Sequence, residues 1–192
     1  MTQDEVLAEF RKSGALLEGH FKLSSGRHSG HYLQCARVLM HPHRAALLAE
    51  ALAERIPGDI VDSLDAVVSP AMGGIIIGHE MGRALHLDAM FLERPEGKFH
   101  LRRGFSLAPG AKVLMVEDVV TTGLSSREAI AAVGSEGGEV LAEVALVDRS
   151  NGSADLGVPF FPLIDIDFPT YAEGDVPEDL AAIPITKPGS RK

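Results

Sequence analysis

Two neighbouring carboxylates sit in the stretch richest in chemistry, Val113-Leu114-Met115-Val116-Glu117-Asp118-Val119-Val120-Thr121-Thr122-Gly123-Leu124-Ser125-Ser126. An apolar run reads as a strand that ends in the two acids. A short loop with hydroxyls and a glycine follows, and a helix is expected from about Ser125. Open α/β sheets bind ligands at the carboxyl ends of their strands. A helix start offers unpaired N–H groups and a positive dipole end, which suit a phosphate. Thr121, Thr122 and Ser125 add hydroxyl donors, and Gly123 lets an anion approach the backbone. Neighbours on a strand point to opposite faces, so Glu117 and Asp118 would not chelate one metal together. Each could instead accept hydrogen bonds from adjacent sugar hydroxyls. A plainer reading stays open: Ser125-Ser126-Arg127-Glu128 fits the capping box S-x-x-E, and Glu-Asp before a loop suits a solvated turn. Neither common nucleotide motif is present. The chain lacks G-x-x-x-x-G-K-[ST], and Gly73-Gly74-x-x-x-Gly78 has the wrong spacing for G-x-G-x-x-G.

A second cluster is basic. Arg94, Lys98, Arg102 and Arg103, with His100 among them, concentrate positive charge in a chain of formal net charge −9. Local positive charge in an acidic protein favours an anionic ligand. Gly97 and Gly104 would let the segment move as a lid; the alternative is a solvated basic turn. The other histidines carry less. His41 and His43 flank a helix start, His79 and His86 fall in or just beyond a helix, and no H-E-x-x-H or Cys/His metal pattern occurs. His28 and His31 suit either a surface or a base pocket. Cys35 reads as a small buried hydrophobe, since nothing nearby marks a His-paired thiolate.

The elements that must position these groups alternate. Asp4 to Phe10 reads as an amphipathic helix stopped by Gly14. Residues 19 to 29 hold too many turn formers for a helix, and Phe21/Leu23 suggest a strand or hairpin. A helix is expected from Pro42 to about Arg55, with Leu47, Leu48, Ala51 and Leu52 inward and Pro57-Gly58 as its stop. Then short apolar runs at Asp65–Ser69, Asp88–Leu92, Val113–Val116, Val140–Val147 and Phe160–Ile164 alternate with helices at Ile75–Leu85 and Ser125–Val133. That order predicts an α/β fold, a mostly parallel sheet flanked by helices. The expected organisation is an N-terminal hood over 1–40, a core over 41–168, and a Pro-, Gly- and charge-rich tail over 169–192 on or near the core.

Composition narrows the classes. Of 192 residues, 45% are hydrophobic and 23% charged, enough for a core without staples. Eighteen Lys and Arg against 27 Asp and Glu argue against nucleic acid as a partner. One cysteine cannot form an intrachain disulfide, which suits a reducing cytoplasm. The apolar runs fall far short of the ~20 residues of a membrane helix, and Met1-Thr2-Gln3-Asp4-Glu5 lacks a signal-peptide pattern.

The combination Glu-Asp-x-x-Thr-Thr-Gly resembles the phosphoribosyl diphosphate (PRPP) motif of type I phosphoribosyltransferases. His20-Phe21-Lys22-Leu23-Ser24-Ser25-Gly26-Arg27-His28-Ser29, followed by Tyr32-Leu33-Gln34-Cys35-Ala36, resembles the hood of the orotate phosphoribosyltransferase family. Ser69-Pro70-Ala71-Met72-Gly73-Gly74 resembles its diphosphate loop, and Glu93 to Phe105 its mobile catalytic loop. Asp148-Arg149 matches the arginine that holds the orotate carboxylate. Together these cover roughly residues 5 to 168 in the family's order.

The resemblance implies the type I phosphoribosyltransferase fold and the reaction of orotate with PRPP to give orotidine 5′-phosphate and diphosphate, a step of pyrimidine synthesis. It implies that Glu117 and Asp118 hold the ribose hydroxyls and that Thr121, Thr122, Gly123, Leu124 and Ser125 cradle the 5′-phosphate, with Val119 and Val120 in the same binding stretch. Met72, Gly73 and Gly74 would meet the diphosphate, near a non-proline cis peptide expected about Met72–Gly73. Arg94, Lys98 and His100 would close on the diphosphate as catalytic groups beside Asp118, and Arg149 with Thr121 would recognise orotate. It implies Mg²⁺ carried mainly by PRPP and water, with no side chain assigned as a metal ligand, and a homodimer whose mobile loop acts in trans. Transfer to another base, and a PRPP-sensing regulator, are the alternatives. Many relatives have lysine where Ser24, Gly73 and Pro95 stand. A second branch lacks these lysines and shares Leu101-Arg102-Arg103-Gly104-Phe105. That branch's Cys-Pro-Leu-Cys is replaced here by Val176-Pro177-Glu178-Asp179, before the chain rejoins the pattern at Lys187-Pro188-Gly189-Ser190-Arg191.

Overall fold

A computed structural model describes residues 1–23 and 25–187. Ser24 and the Pro188–Arg191 part of the C-terminal pattern therefore lie outside the described residues. The chain begins with α1 (Gln3–Lys12), closed by a capping box in which the Thr2 hydroxyl accepts from the Glu5 N–H and Glu5 accepts from the Thr2 N–H. Val6 and Phe10 bury one face of α1. The turn-rich segment forms a hairpin of β1 (Leu16–Lys22) and β2 (His28–Leu33), as its alternation predicts. A short α2 (Cys35–Leu39) leads to α3 (Pro42–Ala53), which starts on a proline whose missing N–H costs nothing there. Leu48, Ala51 and Leu52 of α3 are buried. Leu47, expected inward, is instead 43% exposed; it sits on the helix flank, where burial on one side is complete without it.

After α4 (Gly58–Val61) the alternation becomes β3 (Ala66–Pro70), α5 (Gly74–Leu85), β4 (Asp88–Glu93), β5 (His100–Leu101), β6 (Lys112–Val120), α6 (Leu124–Ser135), β7 (Glu139–Asp148) and β8 (Phe160–Asp165). The six strands form one sheet in the order β5-β4-β3-β6-β7-β8. All neighbours are parallel except β4 and β5. The central strands are near-continuous apolar runs because both faces are covered. Leu114 and Val116 join a core with α1, α3 and α5 residues such as Phe10, Leu52, Ile77 and Met81. Val113 and Met115 point the other way, into a core with Ala129 and Val133 of α6 and with Phe99.

The stretch after Phe168 does not stand apart. Its β9 (Thr170–Tyr171) pairs with β2 and its β10 (Ile185–Thr186) with β1, flanking α7 (Glu178–Ala181). The hood is thus a four-stranded sheet, β10-β1-β2-β9, built from both ends of the chain. Among the described residues no helix is long and apolar enough to cross a membrane.

Candidate active site

β6 is longer than its apolar run suggests. It continues through Glu117, Asp118 and Val119 to Val120, so the acids lie inside the strand, three and two residues before its end. The pairing that extends it is Val119 with Val147 and Val120 with Asp148 of β7. The strand's alternation separates the carboxylates, as expected. Asp118 follows Leu114 and Val116 to the α5 side, where a Cβ at Gly73 would lie 2.7 Å from its Oδ1. The absence of a side chain at Gly73 is therefore what makes room for the Asp118 carboxyl beneath the diphosphate loop. Glu117 follows Val113 and Met115 to the α6 side, where its Oε1 accepts from the Ser125 hydroxyl at 3.4 Å.

Burial pushes the Glu117 carboxyl up to about 8, with the neighbouring Asp118 and Glu143 charges adding to it. Burial also raises Asp118, partly opposed by the backbone N–H of Val119, which donates to its Oδ1 at 2.9 Å. Two acids whose charged forms are disfavoured by burial at the end of a sheet are poised to receive a ligand that offers hydrogen-bond donors.

The loop between β6 and α6 is set by its backbone. Gly123 takes φ +71 and is the N-cap of α6, so the N-cap residue offers no side chain, and the Thr122 hydroxyl accepts from the Leu124 N–H at 3.4 Å. The capping-box reading of Ser125 is thereby corrected: α6 begins one residue earlier, at Leu124, and the Ser125 hydroxyl is spent on Glu117 instead. Arg127 pins the loop from outside, donating to the carbonyls of Thr122 at 3.3 Å and Asp155 at 2.8 Å. Thr121, Thr122, Leu124 and Ser125 are exposed. Val119 is half-buried, but Val120 belongs to the packing. Its side chain lies with Ala145 and Leu156, and its carbonyl accepts from the Arg149 N–H at 2.8 Å.

That same bond sets Arg149. Asp148 Oδ1 also accepts from the Ser150 N–H at 2.7 Å, which turns the chain sharply just past β7. The Arg149 guanidinium then faces the hood, near Tyr32, Cys35 and Asp167 and 5.8 Å from the Phe168 ring centroid. Burial pulls its pKa down, and its Nε finds no acceptor among the described residues. Cys35 is buried, and burial holds its thiol well above the usual range, with the Asp118 charge adding to the shift and Arg149 opposing it. His31 stacks on Phe168 at 4.7 Å. His28 and His20 are buried, with His20 Nε2 and His28 Nδ1 2.6 Å apart, so His28 belongs to the hood's interior.

The diphosphate loop follows β3 with Met72 and Gly73 exposed and Gly74 buried. The cis peptide joins Ala71 and Met72, one bond before the place expected. The basic loop lies elsewhere. Arg94 pairs with Glu128 of α6 and stacks 4.0 Å from the centroid of Phe99, whose ring is buried in the α6-side core. His100 Nδ1 lies 4.0 Å from Glu136 at the far end of α6, Lys98 is exposed, and Arg102 and Arg103 both pair with Glu93. A helix of 12 residues spans about 18 Å, so His100 sits near the opposite end of α6 from the phosphate loop. Asp118, Glu117, the loop before α6, the loop after β3 and Arg149 gather at one edge of the sheet; Arg94 reaches Glu128, about one turn into α6, whereas His100 lies by Glu136 at the helix's other end.

Residues that the motifs did not mark also take part. Phe168 and Tyr32 line the space before Arg149. Glu143 lies beneath the site with no exposed surface. A single acid within the apolar run Val140 to Val147 was the available signal for Glu143; Phe168 gave none.

No family model matches the chain. Among curated proteins, it is 74% identical over 191 residues to the orotate phosphoribosyltransferase of Erythrobacter litoralis, covering 100% of this chain and 99% of the relative. Among solved structures, the orotate phosphoribosyltransferase of Aeropyrum pernix matches at a TM-score of 0.67 and 28% identity, over 83% of this chain and 93% of that one. The adenine phosphoribosyltransferase of Thermoanaerobacter pseudethanolicus matches at 0.59 over 71% of this chain and 88% of that one; at 18% identity this likeness concerns the fold.

Proposed function

The chain belongs to the orotate phosphoribosyltransferase family, and we propose from its site that it transfers the phosphoribosyl group of PRPP to orotate, releasing diphosphate. The observation that carries this reading is that the ends of β6 and β7 adjoin, Val120 pairing with Asp148 and its carbonyl accepting from the Arg149 N–H. This sets two buried acids, the start of α6 and an arginine with an unpartnered Nε at one edge of the sheet. Glu117 and Asp118 accept from the ribose hydroxyls. The N–H groups and hydroxyls from Thr121 to Ser125 hold the 5′-phosphate, and Met72 to Gly74 face the diphosphate. Arg149 pairs with the planar carboxylate of orotate through parallel hydrogen bonds. Bond breaking at the ribose carbon builds positive charge on the sugar, and the nearby carboxylates stabilise it. Holding base and ribose in line supplies much of the remaining rate.

Mg²⁺ fits this arrangement as an ion brought by the substrate. Among the described residues no three His, Cys, Asp or Glu side chains converge as a cage, and Mg²⁺ in phosphate sites is held by one or two carboxylates, phosphate oxygens and water. When bound, it neutralises charge on the diphosphate. Arg94, Lys98 and His100 approach the diphosphate of the partner's site, in a two-fold dimer working in the cytoplasm. The placing of His100 beside Glu136, at the end of α6 away from the loop before it, supports a loop that serves another chain.

The test is an absorbance or radiochemical assay with PRPP, Mg²⁺ and, in turn, orotate, uracil, adenine and guanine. Turnover is expected with orotate and not with the uncharged bases. Equal use of uracil would remove the carboxylate from recognition, and turnover only with a purine would overturn the reading.

A further inference from the structure

Glu143 is an unusual residue for its place. It lies in the middle of β7, 0% exposed, between Ala142 and Val144 in a run from Val140 to Val147 otherwise built from valine, alanine and leucine. Burying a carboxyl is costly unless it is hydrogen-bonded. Here one oxygen accepts from the Ser126 hydroxyl at 2.6 Å, and the other has no partner among the described residues. Ser126 is itself only 2% exposed. An apolar side chain would fill this position without that cost, so packing alone does not account for an acid there.

What the acid touches gives the reason. Ser125 and Ser126 are consecutive residues in the first turn of α6, and each donates to a glutamate on a different central strand. Ser125 reaches Glu117 of β6 and Ser126 reaches Glu143 of β7. Consecutive helical residues point about 100° apart, so the two bonds brace the turn from two directions. This turn carries backbone N–H groups of the proposed phosphate cradle, and its N-cap, Gly123, has no side chain to cap them. We propose that Glu143 is a positioning residue for phosphoribosyl binding, its carboxyl holding the Ser126 hydroxyl and so fixing the first turn of α6 over β6 and β7. The proposal rests on the reading of the loop as the 5′-phosphate site. Burial holds the Glu143 carboxyl up to about 7, so near neutrality much of it is uncharged and adds little repulsion behind a bound phosphate.

The experiment compares Glu143→Leu, Ser126→Ala and Glu143→Gln with the wild type in the full chain. PRPP affinity is read by calorimetry, kcat and both KM values by turnover, and folding by thermal melting. Glu143→Leu and Ser126→Ala are expected to weaken PRPP binding about tenfold, as a small misplacement of a binding group does, with the orotate KM changed less than twofold. Glu143→Gln keeps an acceptor for Ser126 and is expected to stay within threefold of the wild type. PRPP affinity unchanged in Glu143→Leu and Ser126→Ala would overturn the proposal, whatever the melting temperature does. So would equal weakening by Gln and Leu. If the wild type binds no PRPP, the functional reading fails and this inference with it; if the wild type binds and the variants bind equally, only this inference fails.

Discussion

Arg149 is half-buried beside Tyr32 and Phe168, with its Nε buried and unpaired among the described residues, and an unmet donor of that kind calls for an anion. Loss of a charge-assisted hydrogen-bonded pair costs about 1.5–3 kcal/mol, roughly ten- to a hundredfold. Arg149→Ala is therefore expected to raise the orotate KM by that factor while PRPP affinity by calorimetry stays within about twofold; equal losses would make Arg149 a structural residue. The acids lead to a second expectation. Glu117 titrates at about 8 in the free site, and sugar hydroxyls that donate to it favour its ionised form. PRPP binding at pH 7 should release a proton through this group, seen as a heat that depends on the buffer's ionisation enthalpy. Glu117→Gln should abolish that release, and Glu117→Gln with Asp118→Asn should weaken PRPP. An unchanged affinity would remove the acids from the ribose site. Of these residues, the motif made Glu117, Asp118 and Arg149 legible. Phe168 and Glu143 were not, because each matters only through a neighbour that the chain brings from far along its length.

At the scale of elements, the β6–α6 junction depends on Gly123. Its φ of +71 is left-handed, which costs an L-residue roughly 1–2 kcal/mol, and a Cβ there would lie 2.6 Å from Leu156 Cδ2. Gly123→Ala is expected to lower the melting temperature by about 2–8 °C in a chain of this size and to weaken PRPP binding, since the loop must shift to relieve both strains. A variant that melts like the wild type and binds PRPP equally would show that the junction tolerates a side chain. Most elements followed from periodicity, but their ends did not. The apolar run of β6 stopped at Val116, whereas the strand runs on to Val120 because β7 is there to pair with it.

For the whole molecule, two measurements matter. Glu117 and Glu143 keep their protons in the fold up to about 8 and 7, against an ordinary 4.5. The unfolded chain releases them first, so the native state binds more protons between those values. The stability linked to these groups is thus full below about pH 4.5, falls as pH rises toward 7–8, and is level above. Urea unfolding should show this decline between pH 5.5 and 8.5, and Glu143→Gln should flatten it; an unaltered slope in that variant would exclude Glu143 as a source. The second measurement is subunit mixing. Arg94→Ala and Arg149→Ala are refolded together and assayed at an orotate concentration low enough that neither variant alone turns over appreciably. Half of random pairs are mixed and each mixed pair has one intact composite site of two, so about a quarter of the wild-type activity should return. A mixture that forms mixed dimers yet stays inactive would mean that each loop serves its own chain.

The residue types and their order in the chain determined the α/β class, the strand–acid–acid–loop–helix site and the family, because these depend on local periodicity and on motifs short enough to read directly. Only the tertiary structure decided that the ends of the chain meet in one hood sheet, that Gly73 makes room for Asp118, that His100 lies at the far end of α6, and that Glu143 meets Ser126 in the first turn of α6. Each of these is a contact between segments distant in sequence. Strand pairing and burial, which no local pattern encodes, fix which side chains share a space.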